Sequence, residues 1–241
     1  MQGGLRYARA ILLLALLLSC GAIPAHAEDT RPRLYVYLHT EAKSAALESE
    51  LQQKLPALEV TVFGRFRDFE EAMTARRPDA VVAFQPLLAS LNVPPALIGL
   101  RADHDWEPYV LLSSSTPLEG SLSGKVIGVV DLLGRDGTQD FVTKLLKTPD
   151  LKLKRVTKME DLLPLLQFSA ADGVLVPAVA VKSMSERSRL PLKVRELPDV
   201  KVGLPAVGLV NPKARELVVK QVLSLDGEAI RTLGVEKWRS K

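Results

Sequence analysis

From Leu34 onward, apolar and polar positions alternate between two periods along the chain. "LYVYL" (34–38) is a near-continuous apolar run of strand length, and "HTEAKSAALESELQQKLPA" (39–57) repeats Leu47, Leu51 and Leu55 at the i+4 spacing of one helix face. The same order follows in "LEVTVF" (58–63, strand), "RDFEEAMTARRP" (67–78, a helix stopped by Pro78) and "DAVVAF" (79–84, strand), with two further strands at "ALIGL" (96–100) and "PYVLLSSS" (108–115). Strands separated by helices imply βαβ units and a parallel sheet. Turn formers dominate "TPLEGSLSG" (116–124), which marks a boundary or crossover, and then the alternation restarts. Strands are expected at 125–132, 151–156, 172–177 and 192–197, and helices at 138–147, 159–168 and 178–186. Beyond "PDVKVGLP" (198–205) stand one more strand, "AVGLV" (206–210), and helices over 212–225 and 227–234, which have no sheet of their own and are expected to fold back onto the first block.

The pattern predicts an α/β protein of two lobes with mostly parallel sheets, joined by two crossover strands. Lobe one is expected over 28–115, lobe two over 116–202, and the return to lobe one over 203–241. Ligands of open parallel sheets bind beyond the carboxyl ends of the strands, so two facing lobes share one cleft that a hinge can close.

Residues 1–27 read as a secretory signal peptide. Arg6 and Arg9 precede an apolar run of nine residues (10–18), and Ala25-His26-Ala27 offers a small-x-small cleavage site. Such a run is far below the roughly 20 residues that span a bilayer. Cleavage would release a soluble periplasmic protein. Leu17-Leu18-Ser19-Cys20-Gly21 overlaps this signal and resembles a lipobox, the alternative being a lipoprotein anchored through Cys20. The soluble product fits better, because leucine directly before the small residue suits a lipobox poorly.

Cys20 is the only cysteine, so the folded part has neither disulfide nor cysteine metal site. A hydrophobic content of 47% supports an ordinary core. Without Arg6 and Arg9 the chain has 30 basic against 28 acidic residues, a net charge of about +2. That balance, with scattered aromatics, gives no argument for nucleic acid, and no nucleic-acid partner is expected.

Several stretches resemble the type II periplasmic solute-binding proteins of ABC transporters, in particular the phosphate, phosphite and phosphonate branch. "PDAVVAFQPLLASL" (78–91) is similar to its strand-turn-helix, and "LEGSLSGKVIGVVDLLGRDGTQDFVTKLL" (118–146) to its crossover into lobe two, with Leu122, Gly124 and Lys125 on the L-x-GK pattern. "MEDLLPLLQFSAADGVLVPAVAVKSM" (159–184) and "IRTLGVEKW" (230–238) are similar to the segments that follow. The resemblance implies a monomeric binding protein without cofactor, which captures a small polar or anionic solute, such as a phosphate or phosphonate, between its lobes and delivers it to an inner-membrane ABC permease.

Candidate binding residues lie at strand ends. Gly134-Arg135-Asp136-Gly137-Thr138-Gln139 sits between a strand and a helix. There free amides attract anions, the glycines admit a ligand to the backbone, and Arg135 can grip a carboxylate or phosphate in two places. Equally, Asp136 can be the N-cap, with Gln139 completing a capping box. His39 and Thr40 end the first strand, although Thr40 can be only an N-cap. Gln85 ends the third strand, and Ser113, Ser114 and Ser115 fall where the crossover leaves lobe one, either donating into the cleft or standing as solvated hinge residues.

Enzyme readings find little support. His39 and His104 have no metal-ligand partner at i+3 or i+4, "HDWE" (104–107) reads as a solvated loop more readily than as a divalent-metal site, and no nucleophile elbow, P-loop or dinucleotide fingerprint appears. The mature chain is shorter than most members of the branch it resembles. That motivates a second reading, a periplasmic sensor or accessory protein of the same fold that binds a protein partner.

Overall fold

The computed structural model describes residues 31–39, 43–114 and 116–241; the signal segment, Cys20, Thr40 and Ser115 lie outside them. Pro32–Lys241 forms one unit built on two mixed sheets. The first contains β1 (Arg33–Tyr37), β2 (Glu59–Phe63), β3 (Ala80–Phe84), β4 (Pro95–Leu100), β10 (Pro205–Leu209) and β11 (Lys237–Ser240), in the order β11-β4-β10-β3-β1-β2. The second contains β5 (Trp106–Ser114), β6 (Val126–Val130), β7 (Lys152–Val156), β8 (Gly173–Pro177) and β9 (Leu192–Gly203), in the order β7-β6-β8-β5-β9. Within each sheet the βαβ strands run parallel: β1 with β2 and β3, and β6 with β7 and β8. The strands on which the chain enters a lobe from the other, β10 and β5, are antiparallel to them.

Sequence explains the layering. "AVVAF" offers no polar side chain to either face, as a sheet covered on both sides requires. On one face α1 (Ser44–Lys54) lays down Leu47 and Leu51, and α7 (Arg215–Leu223) lays down Val218 and Val222, beside Ala229 of α8 (Gly227–Thr232). The other face receives Phe69 of α2 (Phe66–Ala75) and Leu87 and Leu88 of α3 (Gln85–Ser90). In the second lobe Val142 of α4 (Gly134–Leu145) covers one face and Leu162, Leu163 and Leu166 of α5 (Leu162–Gln167) the other, with Met184 of α6 (Val181–Arg187) beside them.

Four expectations are corrected. β5, expected in lobe one, pairs with β8 and β9 in the second sheet. The chain therefore crosses at 101–105 and not at 116–124, and it returns at Leu204, whose N–H donates to the Asp105 carbonyl at 2.9 Å. "PDVKVG", expected to follow a strand that ends at 197, belongs to β9. That strand tolerates Pro198 because it is an edge strand, and its register with β5 shifts between Glu196 and Lys201. α4 begins at Gly134, a turn earlier than expected. Asp136 is thus in the first turn and not the N-cap, where its charge still favours the helix dipole. Finally, β11 adds an edge that the polar stretch "KWRS" does not announce by pattern.

Candidate functional site

The carboxyl ends of β1, β2, β6 and β7 meet across the lobes and enclose a cavity of about 500 Å³. Lobe one supplies Tyr37, Arg65, Phe66, Arg67 and Glu70; lobe two supplies Asp131, Gly134, Arg135, Asp136, Gly137, Arg155 and Thr157. Four guanidinium groups thus face three carboxylates around one space. Arg65 and Arg67 are already engaged locally, with Asp68 at 2.9 Å and Glu71 at 2.7 Å, one helical turn away on an exposed surface.

Asp131 anchors lobe two's contribution. Its side chain accepts the Thr138 hydroxyl proton at 2.8 Å and faces Arg155 at 3.5 Å. The Thr138 oxygen in turn accepts the Leu133 N–H at 2.9 Å, so a fully buried threonine fixes both the carboxylate and the turn that precedes α4. Thr138→Val, which keeps the shape but removes the hydroxyl, leaves that N–H and one carboxylate oxygen without a partner. It is expected to cost about 2 kcal/mol, measurable by denaturant unfolding.

Two contacts join the lobes at the cavity. Tyr37 Oη donates to the Asp131 carbonyl at 2.9 Å. Gly134, at φ +74°, lies so close to the Phe66 ring that an added Cβ would sit 2.5 Å from Cε1, while Leu133 packs into the aromatic cluster of lobe one. Burial, reinforced by the nearby Asp131 charge, pushes the Tyr37 phenol well above its ordinary range, so it stays a donor. Next to it His39 lines a second cavity of about 260 Å³ with Lys43, Ser44, Lys158 and Glu160. Burial lowers the imidazole to about 4, against the opposing pull of Asp131.

Of the residues singled out from sequence, Arg135, Gly137 and His39 face the interlobe space. Thr138 is a buried positioning residue. Gln139 donates to the Leu151 carbonyl at 3.0 Å and turns toward lobe two's own core. Gln85 donates to the Asp105 carbonyl at 2.7 Å and so braces the crossover. Ser113 and Ser114 stand at the far end of β5, because β5 is antiparallel to β8 and runs away from the cleft; the Ser113 hydroxyl donates to the Thr116 carbonyl. The acidic residues of "DHDWE" are taken up in ion pairs, Asp103 with Lys237, Asp105 with Arg239 at 3.0 Å and Glu107 with Arg101 at 2.6 Å. No cluster of three metal-ligating side chains occurs among the described residues. Asp131 and Arg155, central to the cavity, were not singled out from sequence, although Asp131 directly follows a buried strand and so had the placement of a site residue.

No family description and no curated protein matches the sequence. Solved structures do match in fold. The substrate binding protein of an amino acid ABC transporter is 17% identical, with a TM-score of 0.57 over 84% of this chain and 96% of that one. The GluR0 ligand-binding core from Nostoc punctiforme, in complex with L-glutamate, is 12% identical, with a TM-score of 0.57 over 84% and 96%. The BvgS VFT2 domain of Bordetella pertussis is 12% identical, with a TM-score of 0.54 over 84% and 91%. The chain has the two-lobed periplasmic-binding-protein fold. These neighbours do not support the phosphate, phosphite or phosphonate branch that the sequence motifs resemble.

Proposed function

We propose that this is a non-enzymatic periplasmic binding protein whose interlobe cleft captures an amino-acid-like solute for uptake by an ABC permease. One observation carries the reading: at the ends of parallel strands from both lobes, one cavity presents guanidinium and carboxylate groups together. A zwitterion complements such a lining. Its carboxylate meets Arg135 and Arg155, the planar donors suited to two-point recognition, and its ammonium meets Asp131 or Asp136. A simple polyanion would leave the three carboxylates on the same walls without a cationic partner from the solute. The amino-acid transporter protein and the glutamate-bound core among the structural neighbours support this class of solute.

Calorimetric titration with amino acids tests the reading. Arg135→Ala combined with Arg155→Ala is expected to weaken the bound solute by at least ~100-fold, since each charge-assisted pair is worth roughly 1.5–3 kcal/mol. An unchanged affinity would remove the cavity from the binding role.

A further inference from the structure

His39 belongs to lobe one but its ring borders lobe two. It follows β1, yet it lines a small apolar socket with Tyr109, Val130, Leu132, Met159 and Pro177 of the second lobe and Phe84 of its own. Its Nε2 lies 3.2 Å from Tyr37 Oη. The phenol has a single proton, which goes to the Asp131 carbonyl, an acceptor only. Nε2 must therefore carry the imidazole proton and donate it to the phenol oxygen. That leaves Nδ1 bare, and Nδ1 is buried without a hydrogen-bond partner. The result is a directional chain across the lobe boundary, from His39 beside the apolar socket through Tyr37 to the Asp131 carbonyl.

We infer that His39 is an acid-sensitive latch: as a neutral ring it holds the lobes closed, and on taking a proton at Nδ1 it leaves the socket and the cleft opens. Protonation in place would put a cation in a desolvated site and a proton on Nδ1, which has no hydrogen-bond partner there. Parting of the lobes hydrates both. The charged groups around the ring do not reverse this. Asp131 favours the cation through its charge and its backbone, but burial outweighs both. Lys158 and Glu160 after β7 pair with each other at 3.9 Å, Arg101 and Glu107 at the crossover likewise at 2.6 Å, and Lys43 adds a like charge.

The sign of the linkage follows. The closed lobes hold the ring at about 4, against 6.5 when solvated. Its contribution to closure is complete above 6.5 and is lost as pH falls from there toward 4. Closure should weaken about tenfold between pH 7.5 and 5.5. The latch rests on the proposed binding role only for its consequence, that acid discharges the solute.

The test adds no solute, so its outcome is independent of that role. Fluorophores on Gln53→Cys of α1 and Lys182→Cys of α6, in the full chain with Cys20→Ser, report the distance between lobes by single-molecule energy transfer. The expected result is an open-to-closed ratio that rises about tenfold from pH 7.5 to 5.5, and stays constant in His39→Gln, whose amide can still donate to Tyr37 but does not titrate. Where His39→Gln fails to fold, His39→Phe, which fills the socket without titrating, serves instead. A ratio insensitive to pH in the unsubstituted protein, or an equal rise in the His39 variants, would overturn the latch.

Discussion

Arg101→Ala is expected to destabilise the protein by about 3 kcal/mol at pH 7, the usual result of stripping one partner from a buried ion pair. Glu107 is only 6% exposed, and its carboxylate accepts Arg101 Nη1 at 2.6 Å where β5 begins; Arg101 Nη2 also donates to the Gly234 carbonyl, tying the C-terminal segment to the crossover. Burial already holds the Glu107 carboxyl above its ordinary 4.5, with Arg101 pulling it back down. Without Arg101 that value rises further, and the penalty of keeping the carboxylate charged grows with pH above 4.5 until the folded carboxyl titrates. The loss should therefore be full near neutrality and shrink as pH falls toward 4.5. Adding Glu107→Gln should recover about 2 kcal/mol of it, a coupling that a double-mutant cycle in urea reads directly. An Arg101→Ala loss independent of pH would show that packing of the guanidinium matters more than its charge.

Gly99→Ala is the second large effect. Gly99 lies in β4 between β10 and β11, and an added Cβ would stand 2.3 Å from Val235 Cγ1 and 2.5 Å from the Pro205 carbonyl oxygen. The valine can shift, but the carbonyl belongs to the backbone where the chain re-enters lobe one. Relief must come from displacing β10 or the Val235 turn. About 3 kcal/mol is the expected cost, near the upper end for overpacked cores. The urea midpoint should fall while the slope stays constant, since the unfolded chain exposes the same surface. Gly120→Ala makes the contrast. There φ is +67° and nothing stands within 4 Å of an added Cβ, so only backbone strain of about 1 kcal/mol is expected.

Much of this architecture is legible because burial imposes period. "AVVAF" and "GVLVP" are wholly apolar or nearly so, and Leu47 and Leu51 repeat with the helix, so the strands and most helices declare themselves. Connectivity is less legible. "PYVLLSSS" reads as a buried strand in either lobe, and only its pairing with β8 and β9 assigns it to the second. That one assignment decides the fate of Ser113 and Ser114, which look like cleft residues until β5 is seen to run the other way. β11 escapes notice because "KWRS" is held by backbone pairing to β4 and by ion pairs of Lys237 and Arg239 to the crossover, neither of which leaves an apolar period. The site is legible at the level of strand ends: Arg135, Gly137 and His39 reach the cleft as their placement suggests. What sequence could not reveal is which polar side chain there would be turned inward to support its neighbours. Thr138 and Gln139 share a turn with Arg135, and both are committed to holding α4 in place.

The central claim, that the interlobe cleft takes an amino-acid-like solute, is tested most directly by thermal unfolding of the protein in the presence of single amino acids, with phosphate and a phosphonate as comparison solutes. A solute present at 100 times its dissociation constant stabilises the folded state by about 2.7 kcal/mol, which raises the midpoint by several degrees in a chain of this size. The account predicts such a rise with one amino acid or a narrow group of them, and its loss when Arg135 and Arg155 are both replaced by alanine. A rise with phosphate or the phosphonate and none with any amino acid, or no rise at all, would contradict it.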